Sequence, residues 1–134
     1  MGLFNSDSFL AQINADPEFQ LESRYLSLKL RLEMGADTFI VKVREGAVDV
    51  FVPSGPNHMT LMHDYDLEIS ASNEEWTKFL SKNPKPFYQD LFSVVIKHDF
   101  RWGGNVKMWF ANYGALRRFF DVMRAHTLEM EAVR

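Results

Sequence analysis

The 134-residue chain contains no cysteine, and this absence excludes a disulfide scaffold, a thiolate zinc site and a cysteine nucleophile. It also lacks any apolar run near the ~18 residues that a membrane span needs, and no signal peptide is recognisable at its start. Its net charge of -3 argues against general nucleic-acid binding, which depends on a strongly basic surface. We therefore expect a cytoplasmic protein with no nucleic-acid partner.

The short motifs of cofactor-binding and hydrolytic enzymes are also missing: the sequence has no P-loop, G-x-G-x-x-G, G-x-S-x-G or H-E-x-x-H. His58 and His63 do not have the spacing of a familiar metal site. His98 and Asp99 are adjacent, so on a strand their side chains would point apart. We predict no catalytic residue, no metal and no cofactor, and hence a protein that is not an enzyme.

A period of two dominates the first half of the chain. From position 26 to position 34 every second residue is apolar, and the residues between them are polar. This alternation predicts a strand with one buried face in a mainly antiparallel sheet. Similar patterns predict strands over 39–43, 48–52 and 67–71, and Gly46 predicts a tight hairpin because glycine readily adopts positive φ.

Helical spacing occurs at both ends of the chain and after the fourth strand. An apolar stripe over 9–13 predicts a first helix that stops at Pro17, and residues 72–75 form a capping box for another. A short strand over 100–102 precedes Asn105, which has the position of an N-cap. A final helix, or a pair of helices, should follow to about residue 130, bent near Gly114.

The segment over 87–96 is apolar on two sides, since Phe87, Leu91 and Val95 form one helical stripe and Tyr88 and Phe92 belong to another. Such a helix must be covered twice, by the sheet and by a second helix layer or a bound apolar ligand. Aromatic residues make up 14% of the chain, and 12 of the 19 lie between positions 76 and 120. This concentration indicates an apolar cavity in the second half of the protein.

Three stretches combine in a familiar order. Residues 38–50 form a strand, an acidic-glycine turn and a strand; residues 67–76 form a strand that runs into a capped helix with an early Trp; residues 100–108 form a short strand, two glycines and a polar cap. In order and spacing they resemble the sterol carrier protein type two (SCP2) lipid-transfer domains. The resemblance implies an α+β fold: a five-stranded mixed, mainly antiparallel sheet with helices packed on one face and an apolar tunnel between the layers. It covers nearly the whole chain, and we expect one SCP2-like lipid-binding domain over residues 1–134.

The resemblance implies reversible binding and transfer of a sterol, fatty acid or fatty acyl-CoA, without covalent chemistry. We expect eight apolar residues to line the pocket: Phe87, Leu91, Val95, Trp109, Phe110, Phe119, Phe120 and Met123. One alternative is a small pocket enzyme of the ketosteroid-isomerase type, although such enzymes usually begin with long helices and end in strands. Another is a protein-interaction module whose pocket is filled.

Charge is unevenly distributed, because residues 97–124 carry six basic and two acidic side chains, a local net charge of +4. A solvated helix face is the simplest interpretation of this stretch. We also expect transient contact with an anionic membrane surface through Arg117, Arg118 and Arg124. Gly2 and Ser6 fit the short myristoylation pattern, but no basic cluster accompanies them.

Overall fold

The computed structural model describes residues 6–53, 65–81 and 99–132. The predicted helix over 87–96 lies outside these residues, as do Gly2, His58, His63 and His98. The described residues form five strands and five helices: α1 Ser6–Asn14, α2 Pro17–Glu22, β1 Ser27–Met34, β2 Asp37–Arg44, β3 Ala47–Pro53, β4 Leu67–Ala71, α3 Asn73–Phe79, β5 Arg101–Gly104, α4 Val106–Ala111 and α5 Tyr113–Ala132.

The strands form one mixed sheet in the order β3-β2-β1-β4-β5. β1 pairs antiparallel with β2 and parallel with β4, and the β2–β3 and β4–β5 pairs are antiparallel. The five helices contribute buried side chains to a single core on one face of this sheet. The predicted fold class, an α+β protein with a mainly antiparallel five-stranded sheet, is confirmed.

The central strand β1 follows its sequence pattern closely. Every second residue from Leu28 to Met34 is buried towards the helices. The register places Leu30 opposite Val41 of β2 and Leu67 of β4, so apolar side chains meet across both neighbours. Such cross-strand pairs stabilise a sheet and also fix its register, because a one-residue slip would expose the whole apolar face.

The β2–β3 hairpin turns at Glu45 and Gly46, whose φ angles are 46° and 88°. Two central residues with positive φ are typical of the hairpin turns that match strand twist, and glycine adopts this conformation without strain. Glu45 is a less favourable occupant. The turn is held in place because the Glu45 N–H donates to the Leu26 carbonyl at 2.8 Å and the Gly46 N–H donates to the Ser23 carbonyl at 3.0 Å.

The predicted helix caps are confirmed. Ser72 Oγ accepts a hydrogen bond from the Glu75 N–H at 3.2 Å. Asn105 Oδ1 accepts from the N–H groups of the two residues that follow Val106 in α4, at 3.1 and 3.3 Å. β5 continues through the glycine pair that precedes Asn105, where Gly104 has a φ of 91° and a Cβ would collide with the Asp66 carbonyl. Glycine therefore permits the last pairing of β5 with β4.

The first helix ends before Pro17, as predicted, but Pro17 also begins a second helix, α2, which was not predicted. The carboxylate of Asp16 accepts a hydrogen bond from the Phe19 N–H at 2.8 Å and caps the new helix. Proline suits the first helical position, since its missing N–H would have no partner there. The pairing of β2 with β3 contains a register shift between Lys42 and Val43, which the sequence pattern did not predict.

The C-terminal helical region is a pair of helices, one of the two predicted arrangements, and the break falls at Asn112, two residues before Gly114. Asn112 has a non-helical φ of -116°, and its side-chain amide donates to the Met108 carbonyl at 3.1 Å. Trp109 therefore lies on α4 and Phe120 on α5. These two side chains therefore do not share one face of a single helix, because Asn112 ends the first helix between them.

Candidate ligand-binding site

The centre of the core is an aromatic cluster between the sheet and the helices. The ring centroid of Trp76 lies 4.8 Å from that of Phe100 and 5.8 Å from that of Phe120. Phe79 lies 5.5 Å from Phe100 and 6.0 Å from Phe120, edge to face in both cases, which the ring quadrupoles favour. The Trp76 Nε1–H donates to the Glu33 carbonyl of β1 at 2.9 Å, so the indole is fixed against the sheet.

Phe119 extends this cluster towards the amino-terminal helices. Its ring lies 5.1 Å from Phe120, 5.4 Å from Phe9 of α1 and 6.2 Å from Phe19 of α2. Adjacent residues of α5 therefore contact α1 and α2 on one side and α3 on the other. We call the whole set the core cluster: Phe9, Phe19, Trp76, Phe79, Phe100, Phe119 and Phe120.

A second set of rings, the surface group, consists of Trp102, Trp109 and Phe110. Trp109 is buried, lies 5.0 Å from Trp102, and donates its Nε1–H to the Gly103 carbonyl at 2.9 Å. These contacts fix α4 on β5. The next residue, Phe110, is 58% exposed, with its ring edge-on to Trp102 at 6.0 Å. α4 thus directs one aromatic side chain inwards and one outwards.

The structure separates the eight predicted lining residues. Phe119, Phe120 and Met123 lie together on α5, each no more than 2% exposed. Trp109 is equally buried but belongs to the surface group, and Phe110 lies at the surface. The remaining three, Phe87, Leu91 and Val95, lie outside the described residues.

Arg118 and Arg124, which were expected at a membrane, make specific contacts within the fold. Arg118 forms a bidentate pair with Asp16, with N–O distances of 2.8 and 2.7 Å. Arg124 donates twice to the Phe79 carbonyl, at 2.9 and 2.6 Å, and its guanidinium lies 5.1 Å from the Phe79 ring centroid. Arg117 is exposed. Arg118 and Arg124 therefore fasten α5 to α2 and α3.

The ionisation of these groups reflects the same contacts. The hydrogen bond from Arg118 holds the pKa of the Asp16 carboxyl below its ordinary value, although burial opposes this effect. In return, Asp16 raises the pKa of Arg118. Burial raises the pKa of Asp121, while the nearby Arg124 opposes the rise. The Asp16–Arg118 pair is thus fully charged at neutral pH.

Sequence reasoning did not single out His126, which is only 3% exposed. Its Nδ1 lies 2.9 Å from Gln12 Oε1 and its Nε2 lies 3.2 Å from Ser8 Oγ. Because an amide oxygen can only accept, Nδ1 donates to Gln12 Oε1, and Nε2 is within hydrogen-bonding distance of the Ser8 hydroxyl. The geometry partly resembles a serine–histidine pair, but uncharged Gln12 cannot stabilise an imidazolium as a carboxylate does. Ser8 and Gln12 lie one turn apart on α1, and His126 lies on α5, so we interpret these three residues as a contact that attaches α1 to α5. The spacing of Ser8 and Gln12 was the one feature of the sequence that could have indicated this contact.

Open polar grooves lie on the surface of the described residues. One is lined by Lys29, Lys42 and Asp66 among others. Another runs between α2 and α5, past Glu22 and Arg117, with a volume of about 300 Å³. Neither groove is lined by a predicted pocket residue. Within residues 6–53, 65–81 and 99–132 there is no cluster of three metal-ligating side chains, and no helix there is long and apolar enough to cross a membrane.

The strand order, the single helical layer and the aromatic core define a class of small α+β proteins. The fold of the chain is SCP2-like. It is similar to sterol carrier protein 2, with a TM-score of 0.69 over 89% of this chain and 92% of that chain, at 13% identity. It is also similar to a conserved hypothetical protein from Thermus thermophilus described as a possible sterol carrier protein, with a TM-score of 0.67 over 94% and 89% of the two chains, at 14% identity.

A third similar structure is that of UbiJ-SCP2, a ubiquinone synthesis protein, with a TM-score of 0.53, 84% coverage of each chain and 17% identity. No family model and no curated protein matches the sequence. At these identities the likeness establishes the fold, and it does not favour the ketosteroid-isomerase or filled-module alternative.

Proposed function

We propose that residues 1–134 act as one domain that reversibly binds and transfers a hydrophobic small molecule: a sterol, a fatty acid or a fatty acyl-CoA. The observation that carries this proposal is the likeness to sterol carrier protein 2 over 89% of this chain and 92% of that one. No covalent chemistry is involved. The proposed setting is the cytoplasm, in keeping with a chain free of cysteine.

In this proposal the ligand lies between α5 and the sequence-predicted helix over 87–96. Phe119, Phe120 and Met123 form one wall, and Phe87, Leu91 and Val95 form the other. Trp109 lies at one end of the site, with Phe110 at its exposed rim. Affinity comes from burial of apolar area, at about 25 cal/mol per Å². The apolar character of the core cluster supports this placement.

The side chains of the α5 wall are almost fully buried, which has a measurable consequence. Side chains no more than 2% exposed must repack when a ligand reaches them. Phe120 is in ring contact with Trp76 at 5.8 Å, so repacking changes the surroundings of that indole. Trp76 is therefore an expected reporter of binding.

The test combines native mass spectrometry of freshly purified protein with tryptophan fluorescence. We expect a co-purified lipid, or a saturable change of emission with a long-chain fatty acid at roughly micromolar concentration, the affinity range of about -8 kcal/mol. Phe120→Leu keeps the wall apolar and should weaken binding modestly while the fold survives. Phe39→Leu is the matched control, since Phe39 is buried on β2 but is not part of the proposed site.

The two variants separate a binding effect from a stability effect. If Phe120→Leu and Phe39→Leu lose similar stability but only Phe120→Leu binds the fatty acid more weakly, the proposed ligand site is supported. If wild-type protein carries no lipid and shows no saturable response to fatty acid, acyl-CoA or sterol, the carrier proposal is wrong, and an interaction module with a filled pocket takes its place.

Transfer also requires that the protein meets a lipid surface. We propose that Arg117 contributes directly to transient contact with anionic membranes. Arg118 and Arg124 contribute to the local positive potential but keep their hydrogen bonds to Asp16 and Phe79.

A further inference from the structure

We propose that the side chain of Asn14 blocks the outer edge of β3 against pairing with a second copy of this chain. Its amide occupies the place that a peptide group of a neighbouring strand would take. When α1 is displaced from the sheet, the same edge becomes a surface for strand addition. The proposal concerns association between copies of the chain and does not depend on the proposed carrier function.

The two border strands of the sheet differ in what they offer to another chain. β3 and β5 lie at opposite ends of the strand order. β5 has four residues, two of them glycine, and a very short edge strand gives a partner little to pair with. β3 has seven residues, including three valines and a phenylalanine. Such β-branched and aromatic residues are typical of segments that pair between chains, so β3 is the border that needs protection.

Asn14, the last residue of α1, makes two hydrogen bonds to a single residue of this border strand. Its Nδ2 donates to the Val48 carbonyl at 3.0 Å, and its Oδ1 accepts from the Val48 N–H at 2.7 Å. The N–H and C=O of one strand residue point to the same side of the strand. Because both groups of Val48 are bonded to Asn14, they point away from β2. The amide therefore completes the pair of bonds that a further strand would make.

Two other features of β3 are typical of protected edges, and both belong to the strand itself. Asp49 is exposed and charged, and the register shift between Lys42 and Val43 leaves it without an opposite residue on β2. Pro53 ends the strand and has no N–H to donate. Asn14 differs from these two because it reaches β3 from another element. Its protection therefore lasts only while α1 is in place.

The position of Asn14 depends on the packing of α1 and on the turn that follows it. Phe9 and Ile13 of this helix are fully buried in the core. The Gln20 side chain of α2 donates to the main-chain carbonyl of Asn14 at 2.6 Å and fixes the end of α1. Displacement of α1 consequently does more than expose a helix site, because it also removes the cover from the Val48 main chain.

A second copy of the chain is the partner that fits the opened edge. Antiparallel pairing of two β3 strands supplies main-chain partners along the strand, whereas the Asn14 amide supplies one pair. A twofold contact uses the same surface on both copies. Asp49 lies one residue from Val50 at the middle of β3, so the two carboxylates would not stand directly opposite each other. The Arg44 Nε lies 4.0 Å from the Asp49 carboxylate and reduces their repulsion further.

Light scattering coupled to size-exclusion chromatography tests the proposal on the full chain. Asn14→Ala removes both bonds to Val48 and should associate increasingly with concentration, which the wild type should not do. Asn14→Asp keeps an acceptor for the Val48 N–H and adds a charge at the edge, so it should not associate. Ser72→Ala is the stability control, because it removes the cap of α3 without touching α1 or β3. Melting temperatures report the stability of each variant.

A labelled synthetic peptide with the sequence of residues 47–53 tests strand pairing directly. It should raise its fluorescence anisotropy on binding to Asn14→Ala and should not bind to the wild type. The same peptide with proline in place of Val50 should bind to neither protein, because proline lacks the main-chain donor that a ladder requires.

Association and peptide binding in Asn14→Ala, with Asn14→Asp and Ser72→Ala unassociated at comparable stability, support the blocking role. If Asn14→Ala neither associates nor binds the peptide, the amide is only a structural contact and the proposal is overturned. Equal association of Ser72→Ala also overturns it, since any loss of stability would then expose the same edge. Wild-type protein that binds the peptide as tightly as Asn14→Ala would show that the edge is not blocked.

Discussion

The core cluster and the surface group are built from the same residue types, yet they are arranged for different tasks. Phe119 and Phe120 are adjacent and both fully buried. Trp109 and Phe110 are also adjacent, but one is buried and the other is 58% exposed. The difference arises from coverage: α5 is contacted on two sides by α1, α2 and α3, whereas α4 packs on β5 and leaves its other side open. In this fold an aromatic side chain is buried only where other helices or strands cover it on both sides.

The largest expected effect is on the core cluster. Trp76→Ala should reduce the free energy of unfolding by about 3–5 kcal/mol, because it leaves a cavity among three rings and deprives the Glu33 carbonyl of its donor. Chemical denaturation followed by circular dichroism measures this loss. Trp102→Ala in the surface group is the matched control, and a loss as large as that of Trp76→Ala would abolish the distinction between the two sets.

The Asp16–Arg118 pair, one residue from Phe119, tests how far the core cluster depends on a contact at its edge. Asp16→Asn keeps an N-cap for α2 but removes the charge pair, and should cost about 1 kcal/mol at neutral pH because Arg118 is partly exposed. Asp16→Ala also removes the cap and should cost about 1 kcal/mol more. Equal stabilities of the two variants would show that the cap contributes nothing.

The same pair predicts a pH dependence. The pKa of Asp16 is lowered from its ordinary value of 3.8 in the folded state, so its stabilisation is present above that value and is lost as the pH falls through the folded pKa. Wild-type protein should therefore lose stability below about pH 4 more steeply than Asp16→Asn. Urea titrations at several pH values measure the two slopes, and parallel slopes would contradict the assignment.

The smallest expected effect belongs to Phe110. Because this side chain is mostly exposed, Phe110→Ser should change the free energy of unfolding by no more than about 0.5 kcal/mol. Thermal and urea unfolding give the value. A loss above about 1 kcal/mol would mean that Phe110 is a core residue after all, and that the surface group is continuous with the core cluster.

Local patterns were sufficient to predict the strands and the caps, because burial alternates along β1 and the caps at Ser72 and Asn105 are determined by neighbouring residues. The five-stranded mixed sheet was implied by the resemblance to the SCP2 domains. The six-residue helix α2 was missed, since it is shorter than the window over which a helical period is visible. The register shift in β3 depends on its pairing with β2, which no single strand reveals. Phe110 was predicted as a lining residue because helical spacing identifies apolar positions but not which of them the rest of the chain covers.

The sequence predicted the part of the candidate site that lies on a single helix, α5. Phe119, Phe120 and Met123 come together because a helical stripe keeps its members adjacent. Arg118 and Arg124 appeared from sequence as part of a free basic face. Their partners, Asp16 and the Phe79 carbonyl, are 102 and 45 positions away, so only the tertiary structure shows that they fasten α5 to its neighbours.

The parallel pairing of β1 with β4 has a consequence for the order in which the chain folds. It joins residues far apart in sequence, such as Arg31 and Glu68, which are 37 positions apart, whereas β1, β2 and β3 form a meander of short connections. Local hairpins close within microseconds, and long-range pairings come later. A growing polypeptide can therefore complete three strands while β1 still presents an unpaired edge. During synthesis the central strand of the finished sheet is thus an exposed edge, open to pairing with another chain, until residue 67 arrives.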